Sequence, residues 1–203
     1  MIAPFPFATE GQRIGLLGGS FDPPHAGHLH ITKQALKRLH LDRVWWMVTP
    51  GNPLKKRGPV EIGRRVQACL DLVDDPRILV TDFEIWLGTR YTAATLQALL
   101  PRYKGVRFVW LMGSDSLASF HRWKDWNWIM ETVPIGVMAR PGQQLTALGS
   151  QTARRYAQYR VSASTAEVLP IRKAPSWCML SGPMVDLSST QIRTSSDWDV
   201  SKA

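Results

Sequence analysis

Short apolar runs alternate with segments whose hydrophobic positions recur at helical spacing, and this alternation predicts a βαβ succession with a parallel sheet. Residues 13–17 read as the first strand and run into the turn Gly18-Gly19-Ser20. Over residues 25–41 the period becomes helical. Ile31, Ala35, Leu36 and Leu39 form one stripe, with Lys33, Lys37 and Arg38 off it. Residues 43–48 make a second strand, which ends in the loop Thr49-Pro50-Gly51-Asn52-Pro53. The pattern then predicts a helix over 59–73, a strand over 77–81, a loop through Gly88 and a helix over 92–100.

Residues 106–112 are the clearest strand and stop at Gly113-Ser114-Asp115. A Trp-rich stretch, 123–129, starts a short helix, with Trp126 and Trp128 read as core. Residues 133–139 form a strand closed by Arg140-Pro141-Gly142. The period is lost over 143–171, which reads as a variable surface region. A last strand follows at 177–180 and a helix start at 188–193. The expectation is a single three-layer α/β domain spanning 1–203, with its core at about 12–193 and a parallel, Rossmann-like sheet. Ligands of such sheets sit at the carboxyl ends of strands. The turns at 18–20, 50–55, 113–115 and 140–142 all fall there, so a site on that edge is expected.

Composition adds limits. The 203 residues suffice for one core, and 44% hydrophobic content is ordinary for a globular chain. No apolar run reaches the roughly 20 residues of a membrane span, and the start of the chain lacks a secretory pattern. Cys69 and Cys178 have no metal-ligand spacing and read as core thiols of a reduced, cytoplasmic protein. The net charge of +9 favours anionic partners: nucleic acid, phosphorylated metabolites or a membrane surface. The cations are dispersed, densest at Lys55, Lys56, Arg57, Arg64 and Arg65, and form no tail. That pattern weakens the nucleic-acid reading.

The chemistry concentrates in Gly18-Gly19-Ser20-Phe21-Asp22-Pro23-Pro24-His25-Ala26-Gly27-His28. The glycines let backbone approach a phosphate. His25 and His28, three apart, would share a face at the first turn of a helix. The open N–H groups and positive dipole there suit an anion. A structural pair or half a metal site would use the same residues, but the strand and Gly-Gly turn ahead of them favour phosphate. A mononucleotide acceptor is already an anion near neutral pH. Such a transfer needs in-line positioning and hydrogen-bond donors, with no general base.

This segment resembles the signature of the nucleotidyltransferase superfamily with the His-x-Gly-His motif, and within it the bacterial nicotinate-nucleotide adenylyltransferases. The resemblance runs from about Arg13 to Arg193. It implies a nucleotidyltransferase-type fold and adenylyl transfer from ATP to nicotinate mononucleotide, giving deamido-NAD and pyrophosphate, with Mg²⁺ carried on the substrate phosphates and no metal-ligating residues of the protein's own. Gly18, Gly19, Ser20 and Phe21 would line the ATP cleft, and His25 and His28 would contact the phosphates, His28 as stabiliser of the transition state.

Other segments extend the likeness. Asn52-Pro53-Leu54-Lys55 resembles the family's Pro-His-Lys, with Lys55 on ATP phosphates and Lys56 beside it. Gly113-Ser114-Asp115 resembles Gly-x-Asp, placing Gly113 and Asp115 at the ribose, although Ser and Asp also serve as plain helix caps. Asp186-Leu187-Ser188-Ser189-Thr190-Gln191-Ile192-Arg193 resembles Ile-Ser-Ser-Thr-x-Ile-Arg, putting Ser188, Ser189, Thr190 and Arg193 on the triphosphate. Arg90-Tyr91-Thr92-Ala93-Ala94-Thr95-Leu96 resembles Ser-Tyr-Thr-x-Asp-Thr-Leu, so Tyr91 and Thr92 would belong to the acceptor pocket, with Trp123 stacking on the pyridine ring or packing in the core.

The chain departs from the pattern twice. Ala94 stands where the family carries an acid. The polar stretch 194–203 stands where the family continues in helix, which predicts a stunted last helix. Two alternatives stay open from sequence: the same chemistry on nicotinamide mononucleotide or phosphopantetheine, and a non-catalytic nucleotide- or RNA-binding protein. The sequence says nothing of oligomeric state.

Overall fold

The computed structural model describes residues 5–51, 59–181, 189 and 198. Its strands are β1 (Arg13–Gly19), β2 (Arg43–Val48), β3 (Ile78–Thr81), β4 (Arg107–Gly113), β5 (Ile135–Met138), β6 (Arg160–Val161) and β7 (Trp177–Leu180). All pairs are parallel, in the order β3-β2-β1-β4-β5-β7-β6. The chain builds outward from β1 in one direction, then returns to β4 and builds in the other. The β1/β4 boundary is therefore the reversal point, and sheets of this kind take their ligands at the carboxyl edge of that point.

Register divides the apolar residues between two faces. Leu16 lies opposite Trp45 and Trp110, and all three point to one core with Phe83, Leu96, Leu117 and Ile129 from the helices of that side. Leu17 lies opposite Trp46 and Leu111, and these point to the other core with Ile31, Ala35, Leu36 and Cys69. A one-residue slip would exchange the two sets, so burial on both faces fixes the register. The first face carries α3 (Phe83–Leu87), α4 (Thr92–Leu99), α5 (Ser114–Ser119) and α6 (Trp126–Thr132). The second carries α1 (Ala26–Arg38) and α2 (Ile62–Leu72). The three layers are those expected.

Two stretches differ from expectation. Residues 83–87, read as loop, form α3, which ends at Gly88 in the left-handed region (φ 63°). Five residues are too few for a helical period to register. Residues 143–171 are not a variable surface. They hold α7 (Gln144–Leu148), α8 (Gln151–Arg155), β6 and a 3₁₀ segment at Ala163–Ile171, and they bury Ala147, Ala153, Tyr156 and Leu169. Short helices joined by 3₁₀ turns give no steady period, and the apolar positions looked scattered for that reason. Trp126 and Trp128, read as core, are partly buried against it. No helix of the described residues is long and apolar enough to cross a membrane.

Candidate active site

β1 delivers Gly18 and Gly19 to the carboxyl edge. A Cβ on Gly18 would lie 2.7 Å from the Trp110 ring, so only glycine fits there. Phe21 follows with φ 45°, in the left-handed region that larger side chains avoid. Its ring is buried, stacked on Trp46 at 5.0 Å and against His28 at 4.6 Å. Phe21 therefore backs the histidine, and any part it has in the ATP cleft is played by its backbone.

His25 is not on the helix as the spacing suggested. It is the N-cap of α1, with extended backbone (φ −155°, ψ 169°). Its Nδ1 accepts from the Gly27 N–H at 3.1 Å, and the Nδ1 of His28 accepts from the His25 N–H at 3.2 Å. Two imidazoles thus form a reciprocal capping box, a role usually filled by Ser or Thr with Glu. The rings still meet, with centroids 4.0 Å apart. Because both Nδ1 atoms accept, each neutral ring carries its hydrogen on Nε2. Burial, and then the Arg140 guanidinium, push the His25 imidazole down to about 4, which keeps it neutral near pH 7. His28 is the more exposed of the two.

The support beneath this pair comes from sequence-distant residues. Trp46 Nε1 donates to Thr32 Oγ1 at 2.8 Å, and Thr32 Oγ1 donates to the His28 carbonyl at 2.8 Å. Arg65, 1% exposed, donates to the carbonyls of Val60, Ser20 and Thr49 at 2.7, 2.6 and 2.8 Å. It ties the turn after β1 to the turn after β2. In the sequence Arg65 stands out only as part of the densest group of cations, and a lone arginine is seldom buried. Only its contacts show otherwise.

Across the reversal point, β4 brings Gly113 and Asp115. Asp115 Oδ1 is 3.3 Å from Arg140 Nε, and a Cβ on Gly113 would collide with that carboxylate. Ser114 Oγ accepts from the Arg140 N–H at 3.0 Å, joining the ends of β4 and β5. Arg140, unassigned from sequence, thus holds positive charge near both His25 and Asp115.

The far motif reaches the first turn as well. Ser189 Oγ donates to the Pro23 carbonyl at 3.0 Å. Trp198, taken from sequence as part of a featureless polar stretch, donates from Nε1 to Asp22 Oδ1 at 2.9 Å, and the Arg64 guanidinium lies 4.6 Å over its ring. Lys55, Ser188, Thr190 and Arg193 lie outside the described residues.

The proposed acceptor residues form a second group. Tyr91 is the N-cap of α4 and Thr92 its first residue, and no side chain caps that end. Lys124 Nζ is 5.1 Å and the Arg90 guanidinium 6.0 Å from the Tyr91 ring. Trp123 is half-buried, packed at 5.0 Å on Phe120 and edge-on to Trp110 at 6.2 Å. Trp110 touches both groups, since its ring also abuts Gly18.

Residues 16–195 match a family model described as cytidylyltransferase-like. A protein of Ruegeria pomeroyi named probable nicotinate-nucleotide adenylyltransferase is 56% identical over 98% of this chain and 93% of its own length. One of the same name from Cereibacter sphaeroides is 58% identical over 91% of this chain and 98% of its own. Among solved structures, the fold is similar to that of Plasmodium falciparum nicotinic acid mononucleotide adenylyltransferase complexed with NaAD, with a TM-score of 0.66 at 15% identity over 90% of this chain and 83% of that one.

Proposed function

The chain belongs to the cytidylyltransferase-like family, among the nicotinate-nucleotide adenylyltransferases, and from that premise we propose that it joins nicotinate mononucleotide to the AMP part of ATP at the crevice between β1 and β4. The product is deamido-NAD, a step of NAD biosynthesis. An oxygen of the acceptor phosphate forms the new bond to the α-phosphorus as the bond to the β-phosphate oxygen breaks, and pyrophosphate leaves with those electrons. No proton has to be removed, so the protein needs no base.

One observation carries this reading: two imidazoles locked as Nε2–H donors at the amino end of α1. His25 stays neutral and keeps that hydrogen at working pH. His28, more exposed, donates to the charge that develops on the transferred and leaving groups. Gly18, Gly19, Ser20 and Phe21 would line the ATP side with their backbone, joined by Lys55, Gly113, Asp115, Ser188, Ser189, Thr190 and Arg193. Tyr91, Thr92 and Trp123 would form the acceptor side.

No three His, Cys, Asp or Glu side chains among the described residues stand together as a metal cage. Mg²⁺ would arrive on the ATP phosphates, with phosphate oxygens and water as ligands and charge neutralisation as its contribution. Two buried free thiols accord with a cytoplasmic location.

The test is pyrophosphate release from ATP with nicotinate mononucleotide, nicotinamide mononucleotide and phosphopantetheine in turn. The first should be preferred, and a clear preference for phosphopantetheine would overturn the choice of acceptor.

A further inference from the structure

Glu84 is the only acid between residues 83 and 99, and the reading above gives it no task. It sits on α3, just past the end of β3, and is 3% exposed. Its Oε1 accepts from the Thr95 hydroxyl at 2.8 Å, and its Oε2 is buried with no hydrogen-bond partner among the described residues. Thr95, itself fully buried on α4, also lies 2.9 Å from the Thr89 hydroxyl and 3.2 Å from the Tyr91 carbonyl. The Thr89 N–H returns to the Glu84 carbonyl at 3.0 Å. The link between α3 and α4 is therefore fastened at both ends to the same two residues, Glu84 and Thr95. That link ends in Tyr91 and Thr92, where no side chain caps α4.

We propose that Glu84 is a positioning residue for the acceptor, holding the turn at residues 89–92 through the Thr95 hydroxyl so that the open end of α4 faces the nicotinate carboxylate. The proposal rests on nicotinate mononucleotide being the acceptor. Position 94 is alanine, so α4 carries no acid of its own. A charged Glu84 would suit this poorly. It would leave an anionic oxygen buried and unpaired, and it would repel an acidic acceptor nearby. The neutral acid does neither, and its Oε1 still accepts from the Thr95 hydroxyl at 2.8 Å. Burial pushes the Glu84 carboxyl up to about 7, in the same direction.

The experiment is steady-state kinetics on the full-length protein with wild type, Glu84→Gln, Glu84→Leu and Thr95→Val. Glu84→Leu should raise KM for nicotinate mononucleotide about tenfold, and Thr95→Val about threefold, with KM for ATP held within about twofold. Glu84→Gln, whose amide oxygen can accept from the Thr95 hydroxyl as the neutral acid does, should stay within about twofold of wild type on both substrates. Thr95→Val keeps the shape of the side chain and decides the matter if Glu84→Leu does not fold. An unchanged acceptor KM in the foldable variants, or an equal rise in both KM values, overturns the positioning role while leaving the proposed reaction intact. A wild type that does not turn over nicotinate mononucleotide overturns both.

Discussion

His25 couples folding to acid in a way that can be measured without any substrate. In the unfolded chain its pKa is the ordinary 6.5, and in the folded one burial and Arg140 bring it to about 4. The folded state therefore binds fewer protons than the unfolded state between those values, and stability must fall as pH drops through that window. At 1.36 kcal/mol per unit the loss is about 3 kcal/mol, absent above pH 6.5 and complete below pH 4. The useful variant is His25→Asn. Asparagine is among the best N-cap residues and its Oδ1 can still accept from the Gly27 N–H, so the cap survives while the titration disappears. Urea unfolding of both proteins at about pH 7 and pH 4 isolates the effect, because every other group contributes equally to both. The variant should gain about 3 kcal/mol on the wild type as pH falls. A difference that stays constant within about 0.5 kcal/mol across the range would refute the argument that this ring is held neutral.

Three further outcomes are expected. His28→Ala should lower kcat by about 10²–10³, the usual loss for one transition-state donor, while losing half the capping box costs only about 1 kcal/mol and a few degrees of Tm; a near-normal kcat rules out the assigned role. Trp123→Ala should weaken acceptor binding and keep ATP affinity, and an unchanged acceptor KM would reduce this tryptophan to packing against Phe120 and Trp110. Glu84 opposes His25 in its pH dependence. With the folded pKa raised from 4.5 to about 7, folding retains a proton, so the wild type should lose up to about 3 kcal/mol as pH rises from 4.5 to 7, whereas Glu84→Gln should not; parallel unfolding curves for the two would refute this.

The central sheet was legible because strands buried on both faces read as continuous apolar runs, as β1, β2 and β4 do. The turn Gly18-Gly19, expected after the first strand, lies at the carboxyl end of β1 beside the reversal of strand order. Cap geometry was not legible. Spacing suggested that His25 and His28 share a helical face, but a side chain that caps must stand outside the helix, and periodicity does not encode that. Arg65 and Glu84 were unreadable for a related reason. A charged residue in an amphipathic stretch reads as exposed, and only the surrounding carbonyls and hydroxyls, brought from other elements, reveal it as interior. In the same way Trp198 gained meaning only from Asp22, which lies far back in the chain.

That last pairing bears on how the protein comes into being on the ribosome. Ser189 and Trp198, which anchor to Pro23 and Asp22, are synthesised 166 and 176 residues after the positions they hold. The sheet around β1 can condense beforehand, since domains gather during synthesis, but the turn that follows β1 is fastened only once these later residues are free of the exit tunnel. A nascent chain would thus carry a folded scaffold before the turn at Asp22 and Pro23 was anchored.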